Sequence, residues 1–228
     1  MPDEFPRPAE DERPVTDPAD GERPDGERPG VGPWPGGPSA WPPVGPGSPY
    51  DPQLLADGDH RNVEDRYRYW SLDAVVADLD RTRAPLHVAI ENFSHDLNIG
   101  SVVRTANAYN VAGVHIVGRR RWNRRGAMVT DRYLHVHHHP QVADLLTWAA
   151  GAGLPVLGID NVPGSVPIEG YRFPRACVLL LGNESDGLSA PAREGVETIL
   201  HITQHGSTRS LNAGAAAAIA MYAWATTA

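Results

Sequence analysis

Apolar residues enter this chain late and in short bursts. Residues 1–55 show no periodic apolar pattern; they repeat units such as GERPDGERPG and PWPGGPSAWPPVGPG, which hold too few large apolar side chains to offset the entropy of ordering. That stretch predicts a disordered tail, in which Trp34 and Trp41 sit on a solvated linker. The pattern changes near residue 60. Leu72, Val75, Val76 and Leu79 stand at helical spacing, and six short apolar runs follow at 86–91, 114–118, 136–139, 155–160, 177–182 and 198–203. Between the first two, Ile99, Val102, Val103 and Ala106 fall at i, i+3, i+4 and i+7, one stripe of a helix. Strand-sized runs alternating with helical patterns predict one α/β domain over residues 60–228 with a mainly parallel sheet. A ligand site then belongs beyond the carboxyl ends of the strands.

Composition sharpens this picture. The formal net charge of −8 is uneven: residues 1–60 carry 13 acidic residues against 4 arginines, and the remainder carries 15 against 16. Acidity belongs to the tail, and the body is nearly neutral. Every basic residue is arginine, which excludes a Walker A phosphate loop and a lysine Schiff base to pyridoxal phosphate. One cysteine, Cys177, cannot form an intramolecular disulfide and reads as core filler in a reducing compartment. The amino-terminal residues lack the basic start and apolar run of a secretory signal, and the apolar stretch 213–225 is too short and alanine-rich to span a bilayer. A cytoplasmic protein with no membrane partner is expected.

Three post-strand segments carry the candidate chemistry. In ENFSHDLNIGSVVRTANAYN (91–110), Asn98 stands where a helix cap belongs, and Gly100 and Arg104 lie four apart, leaving room for a ligand's backbone beneath a guanidinium fork. In LLLGNESDGLS (179–189), a very apolar strand runs into a tight loop with a glycine at each end. Asp186-Gly187 is explained by turn chemistry, whereas Glu184 has no turn preference and is assigned function. In HITQHGSTRSLNAGAAAAIAMYAW (201–224), a strand and a polar loop lead into a helix, opened by Arg209 or Ser210, that is apolar on nearly every face. Such a helix is buried all round or packs against another helix or subunit.

In this order and spacing, Asn98-x-Gly100-x-x-x-Arg104, Gly182-x-Glu184-x-x-Gly187-Leu188 and Ser210-Leu211-Asn212 resemble the three motifs of the SpoU/TrmH branch of the SPOUT methyltransferases. The resemblance covers roughly 85–226. It implies transfer of a methyl group from S-adenosyl-L-methionine to a ribose 2′-hydroxyl of tRNA or rRNA, a deep trefoil knot near the carboxyl terminus, and a homodimer packed through the last helix. It places the cofactor against Gly182, Ile202 and Leu211, and substrate or catalytic work on Asn98, Arg104, Glu184, Ser210 and Asn212. Many relatives carry a separate RNA-binding domain. Here a proline-rich acidic stretch precedes the body, so RNA selection is expected from the body itself.

Two further clusters stand out. Arg119, Arg120, Arg121, Arg124 and Arg125, interrupted by Trp122, suit phosphate clamping with base stacking and are assigned to RNA. His135, His137, His138 and His139 invite a metal reading, but no cysteine or carboxylate ligand lies close in sequence. They are read as a polar strand near RNA, with no metal. The rivals to the enzyme reading are a catalytically silent RNA-binding module on the same fold and a histidine-rich metal-binding protein.

Overall fold

The computed structural model describes residues 30–92, 98–183, 186–208 and 210–227, with the side chain of Arg125 excepted. Glu184 and Arg209 therefore lie outside the described residues. Seven strands form one sheet in the order β3-β2-β1-β6-β4-β7-β5, every neighbouring pair parallel. They are β1 (Ala84–Asn92), β2 (Val111–Gly118), β3 (Val136–His139), β4 (Val156–Ile159), β5 (Val166–Pro167), β6 (Cys177–Leu181) and β7 (Thr198–His201). The six expected runs are all strands, and β5 is an addition of two residues too short to leave an apolar signature. β6, expected from a very apolar run, is buried along its whole length between β1 and β4. Cys177 is part of that core, where burial pushes its thiol up to about 12 and removes it from nucleophilic chemistry.

Strand alternation sends side chains to two different cores. On one face Leu86, Val88 and Ile90 of β1 and Val114 and Ile116 of β2 meet helices α3 (Ile99–Ala108) and α6 (Ala213–Thr227). The stripe Ile99, Val102, Val103, Ala106 is the buried face of α3 as its spacing predicts. α6 buries Gly214, Ala217, Ala220, Met221 and Trp224, and the Trp224 indole donates to the Pro174 carbonyl. It is not buried all round: Ile219 and Tyr222, 39% and 62% exposed, face outward. On the other face α4 (Val142–Gly151) and α5 (Ala190–Gly195) cover Ala89, Val117, Val178 and Leu180.

Residues 30–55, which composition assigns to a disordered tail, are folded. Trp34 packs edge-on against Tyr50 and Tyr69, its indole donates to the Ala40 carbonyl, and the Tyr69 hydroxyl donates to Gly32. Asp51 caps α1 (Pro52–Asp57) through the Gln53 and Leu54 amides. The Asp59 carboxylate, wholly buried, accepts two bonds from the Arg61 guanidinium and the amides of Arg61 and Tyr69. Burial alone would raise its pKa; these donors outweigh it and hold it at about 2. A few aromatics and one buried ion pair thus do what aliphatic periodicity does elsewhere, and a period-based reading misses them. α2 (Leu72–Asp80) then joins this segment to the domain, where Val75 packs with Tyr67 and Tyr133.

Histidines occupy the α4 face of β1, β2 and β3. Nδ1 of His87 lies 3.0 Å from Nε2 of His115, whose Nδ1 lies 2.9 Å from Nε2 of His139, so three imidazoles form a file across adjacent strands. Each contact needs one N–H and one lone pair, which neutral rings supply. His137 stacks on His115, and the Trp148 indole of α4 covers the group. The expected polar strand near RNA is thus corrected in part: His139 is buried against α4 rather than presented to a ligand, and so is His115, which that expectation did not include. Burial, with the neighbouring imidazoles adding to it, depresses His87 to about 4 and His115 to about 2, and also lowers His137 and His139.

Below pH 6.5 the unfolded chain binds protons that these native rings refuse. Each such ring removes about 1.4 kcal/mol of stability per pH unit until its folded pKa is reached. Thermal unfolding should accordingly shift to lower temperature between pH 7.5 and pH 5, and His115→Phe should flatten that slope. A melting temperature independent of pH over this range would contradict the neutral file.

Candidate active site

The carboxyl ends of β4, β6 and β7 open into a cavity of about 380 Å³. Its walls include Ile159, Leu181, Gly182, Ile202, Ser210 and Leu211, with Asp160, Asn183 and Gln204 supplying polar groups. Four sequence-expected residues thus meet around one space although they come from two connections, Gly182 after β6 and Ile202, Ser210 and Leu211 between β7 and α6. This is the position that parallel-sheet topology reserves for ligands.

The turn after β6 explains why glycine stands at both ends of the second motif. A Cβ on Gly182 would fall 2.0 Å from the Gly187 carbonyl carbon, and Gly187 has φ +68° with its α-position facing the Asp160 carboxylate. Asn183 and Gly187 exchange both backbone hydrogen bonds at 3.1 Å, closing the loop. The side chain that makes the turn is Asn183, whose Oδ1 accepts the Asp186 amide at 2.8 Å. Asp186, given the turn by the sequence reading, contributes only its N–H to it and is exposed on the cavity wall.

Two carboxylates that sequence reasoning missed hold the returning strand of this loop. Asp160, at the end of β4, accepts the Leu188 amide at 2.8 Å, and Glu91, near the end of β1, accepts the Ser189 amide at 2.9 Å. Since β6 lies between β1 and β4, successive amides are gripped from either side. Glu91 is wholly buried; burial raises its pKa, Ser189 opposes that, and its second oxygen has no partner among the described residues. An acid directly following an apolar run was the available signal in both cases. Without the strand order nothing in the sequence says that the two acids act on one loop.

The first and third motifs touch. Asn98 opens α3 without capping it through its side chain; instead its Oδ1 accepts from Nδ2 of Asn212 at 2.8 Å. Asn212, not Ser210, caps α6, its Oδ1 accepting the Ala215 amide at 3.2 Å. One amide side chain therefore ties two helix N-termini together, and Gly214 lets the helices approach until its α-position lies against Ser101. Arg104 is exposed on the face of α3 that Ser101 begins, and pairs with no side chain among the described residues.

Gly100 corrects an expectation. The backbone it admits is the chain's own: a Cβ there would lie 2.7 Å from Gly126 Cα and from the Ala127 amide. The arginine segment is thereby locked against the first turn of α3. Its start is fixed by Asn92, buried at the end of β1, which donates to the carbonyls of Arg119 and Arg121 at 2.6 and 3.0 Å. Arg119, Arg120, Arg121 and Arg124 are exposed, and Arg125 opens a 3-10 turn, Arg125–Ala127. Trp122 is not fully displayed for stacking: it is partly buried against the core, with the Arg124 guanidinium 5.6 Å from its ring.

The class defined by this fold and site is an α/β domain with a ligand cavity at the strand ends, walled by glycine-closed loops. Residues 85–222 match the model of the SpoU rRNA Methylase family, and the chain belongs to that family. It is similar to an uncharacterized tRNA/rRNA methyltransferase of Mycolicibacterium vanbaalenii, 30% identical over 180 residues that cover 74% of this chain and 56% of that protein. It is also similar to the tRNA (guanosine(18)-2'-O)-methyltransferase of Escherichia coli, 26% identical over 63% of this chain and 64% of that one. The chain thus spans little more than half the length of its mycobacterial relatives. Among solved structures, the A. aeolicus TrmH/SpoU tRNA modifying enzyme matches 68% of this chain and 81% of its own at a TM-score of 0.61 and 21% identity. The SpoU methyltransferase AviRb from Streptomyces viridochromogenes, solved in complex with AdoMet, matches 65% and 63% at 0.57 and 26%.

Stranding a buried amide costs about 1–3 kcal/mol. Asp160→Ala should therefore speed hydrogen exchange at the Leu188 amide, and Glu91→Ala at the Ser189 amide, more than at the strand amides of β1 and β6. Unchanged local protection in either variant would show that the carboxylates do not hold the loop.

Proposed function

We propose that the protein is an S-adenosyl-L-methionine-dependent methyltransferase acting on a ribose 2′-hydroxyl of tRNA or rRNA. The observation that carries this reading is the Asn98–Asn212 hydrogen bond, which joins the first and third motifs beside the cavity walled by the second. The AdoMet-bound AviRb neighbour and the 2'-O-methyltransferase relative of Escherichia coli support it. The cavity fits the cofactor's mixed character: Ile159, Leu181, Ile202 and Leu211 offer apolar surface, while Asp160, Asn183, Gln204 and Ser210 offer partners for hydroxyl, amino and carboxylate groups.

When bound, S-adenosylmethionine supplies an electrophilic methyl group on a sulfonium. Gly182 gives the cavity wall bare backbone, and Ile202 and Leu211 keep water from an apolar ring. The Arg104 guanidinium offers hydrogen-bond donors and no acceptor, so it cannot serve as the base on its own. Its planar fork holds the phosphate beside the target ribose and stabilises negative charge developing on the 2′-oxygen, with a phosphate oxygen as the proton's destination. Asn98 and Asn212 fix the start of the helix that carries this guanidinium. Ser210 closes the cavity, and Glu184, outside the described residues, keeps the ordering role given by the motif match. Arg119, Arg120, Arg121, Arg124 and Arg125 bind flanking phosphates, with Trp122 bracing the segment.

The same reading includes a trefoil knot at the carboxyl-terminal end, a homodimer and a cytoplasmic site of action. The insertion of β6 between β1 and β4 and the return of α6 over β6 support the knot. The outward Ile219 and Tyr222 on α6, with exposed Leu211, support the dimer. No helix among the described residues is long and apolar enough to cross a membrane.

Losing one preorganised charge stabiliser costs about 10²- to 10³-fold in rate. Arg104→Ala should lose that much methyl transfer to RNA while calorimetry finds cofactor affinity near wild type. Near-normal turnover would remove Arg104 from the reaction, and failure of the wild-type protein to bind S-adenosylmethionine with or without RNA would sink the enzyme reading. Ile219→Asp with Tyr222→Asp should convert a dimer to a monomer in light scattering. A wild-type monomer at micromolar concentration would exclude the proposed assembly.

A further inference from the structure

The 3-10 turn at Arg125–Ala127 is followed by an unusual exposed tip. Met128 and Val129 both have positive φ, 49° and 67°, and both are more than half exposed, at 58% and 53%. The left-handed region is uncommon for any side chain and least suited to a β-branched one such as Val129. Strain of this kind persists where surroundings enforce it, and here they do. Gly126 is interlocked with Gly100 of α3, and Ala127 is wholly buried. The Thr130 hydroxyl donates to the Ala127 carbonyl at 2.6 Å, and the Ala127 amide donates to the Arg124 carbonyl at 3.0 Å. The residues on either side are driven inward, and the two large apolar side chains between them are driven out.

The segment that carries the tip is rich in arginine. Arg119, Arg120, Arg121 and Arg124 precede it and Arg132 follows, all exposed; Asp131 offsets part of this charge through its 3.4 Å pair with Arg124. An apolar knuckle with exposed arginines on both sides of it along the chain matches a polyanion whose units have apolar faces, which describes an unpaired or partly unstacked nucleotide. Guanidinium groups take the phosphates, and aliphatic side chains of this size wedge against or between bases. An apolar protein partner would have no use for the charge, and an acidic one no use for the two side chains. The Gly126–Gly100 contact also fixes the tip to the first turn of α3, the helix whose next turn bears Arg104.

We infer that Met128 and Val129 form a rigid apolar wedge that packs against a base of the RNA substrate beside the nucleotide being methylated. This rests on the RNA methyltransferase reading and adds to it a base-contacting element separate from the phosphate-binding arginines.

The experiment compares the full chain with a Met128→Ser, Val129→Asn variant and an Arg120→Gln, Arg121→Gln variant. The probes are bulk tRNA and total rRNA from cells lacking the gene, titrated over a range of salt. Asparagine accepts left-handed backbone, so the tip variant should melt at or above the wild-type temperature and bind S-adenosylmethionine unchanged. Its RNA affinity should fall about five- to ten-fold at every salt concentration, because burial of two aliphatic groups does not depend on counterion release. The slope of log affinity against log salt should stay at the wild-type value. In the arginine variant that slope should instead shrink by ~0.7 per lost phosphate contact.

Wild-type RNA affinity in the tip variant would overturn the wedge while leaving the RNA reading intact. A lowered melting temperature, or loss of self-association with RNA binding preserved, would also overturn it by showing that the tip packs against protein. Absence of RNA binding by the wild-type chain at every salt concentration would overturn both the wedge and the RNA reading.

Discussion

The carboxyl end of the sheet depends on how sharply the chain reverses after β6. This strand is central, with β1 and β4 hydrogen-bonded on either side, so the loop leaving it has no free edge to run along. It must fold back over its own end, and it does so in a space where a Cβ on Gly182 would collide with the Gly187 carbonyl. Glycine at these two positions is a steric requirement rather than a marker of flexibility. Once the loop is closed, its outer surface is the cavity wall, and the cavity inherits the rigidity of the most buried strand in the molecule.

Polar side chains near the cavity are largely engaged by the protein's own backbone. Asp160 and Glu91 hold the Leu188 and Ser189 amides, Asn183 holds the Asp186 amide, Asn92 holds two carbonyls of the arginine segment, and Asn212 joins two helix starts. Each fixes a loop that would otherwise pay conformational entropy on meeting a ligand. That is the arrangement a site needs if its dipoles and charges are to be in place before the reaction. Arg104, in contrast, pairs with no side chain among the described residues.

The two faces of the sheet differ in kind. α3 and α6 cover one with aliphatic packing and carry the motif residues. α4 covers the outer strands of the other over a file of imidazoles, whose neutrality is a condition of folding. Acid sensitivity and chemistry therefore arise on opposite sides of the same strands, because alternate residues of β1 and β2 point to each. His115 and Ile116 are neighbours in sequence and belong to different cores.

Periodicity alone determined the six principal strands, the buried stripe of α3 and the expectation of a site beyond the strand ends, since burial imposes those spacings directly on the chain. The family resemblance assigned Gly182, Ile202 and Leu211 to the cofactor and Asn98 and Asn212 to catalytic work, but the bond between those two asparagines is a product of the fold. The ordered segment from residue 30 was hidden because a few aromatic contacts and one buried carboxylate leave no periodic trace. Which acids serve the cavity loop, what Gly100 accommodates and which side chains the Arg125–Ala127 turn expels were decided only in three dimensions. Strand order brings Glu91, Asp160 and Leu188 together across gaps of 69 and 28 residues. No local pattern encodes contacts between backbones so far apart, because they exist only once the sheet has assembled.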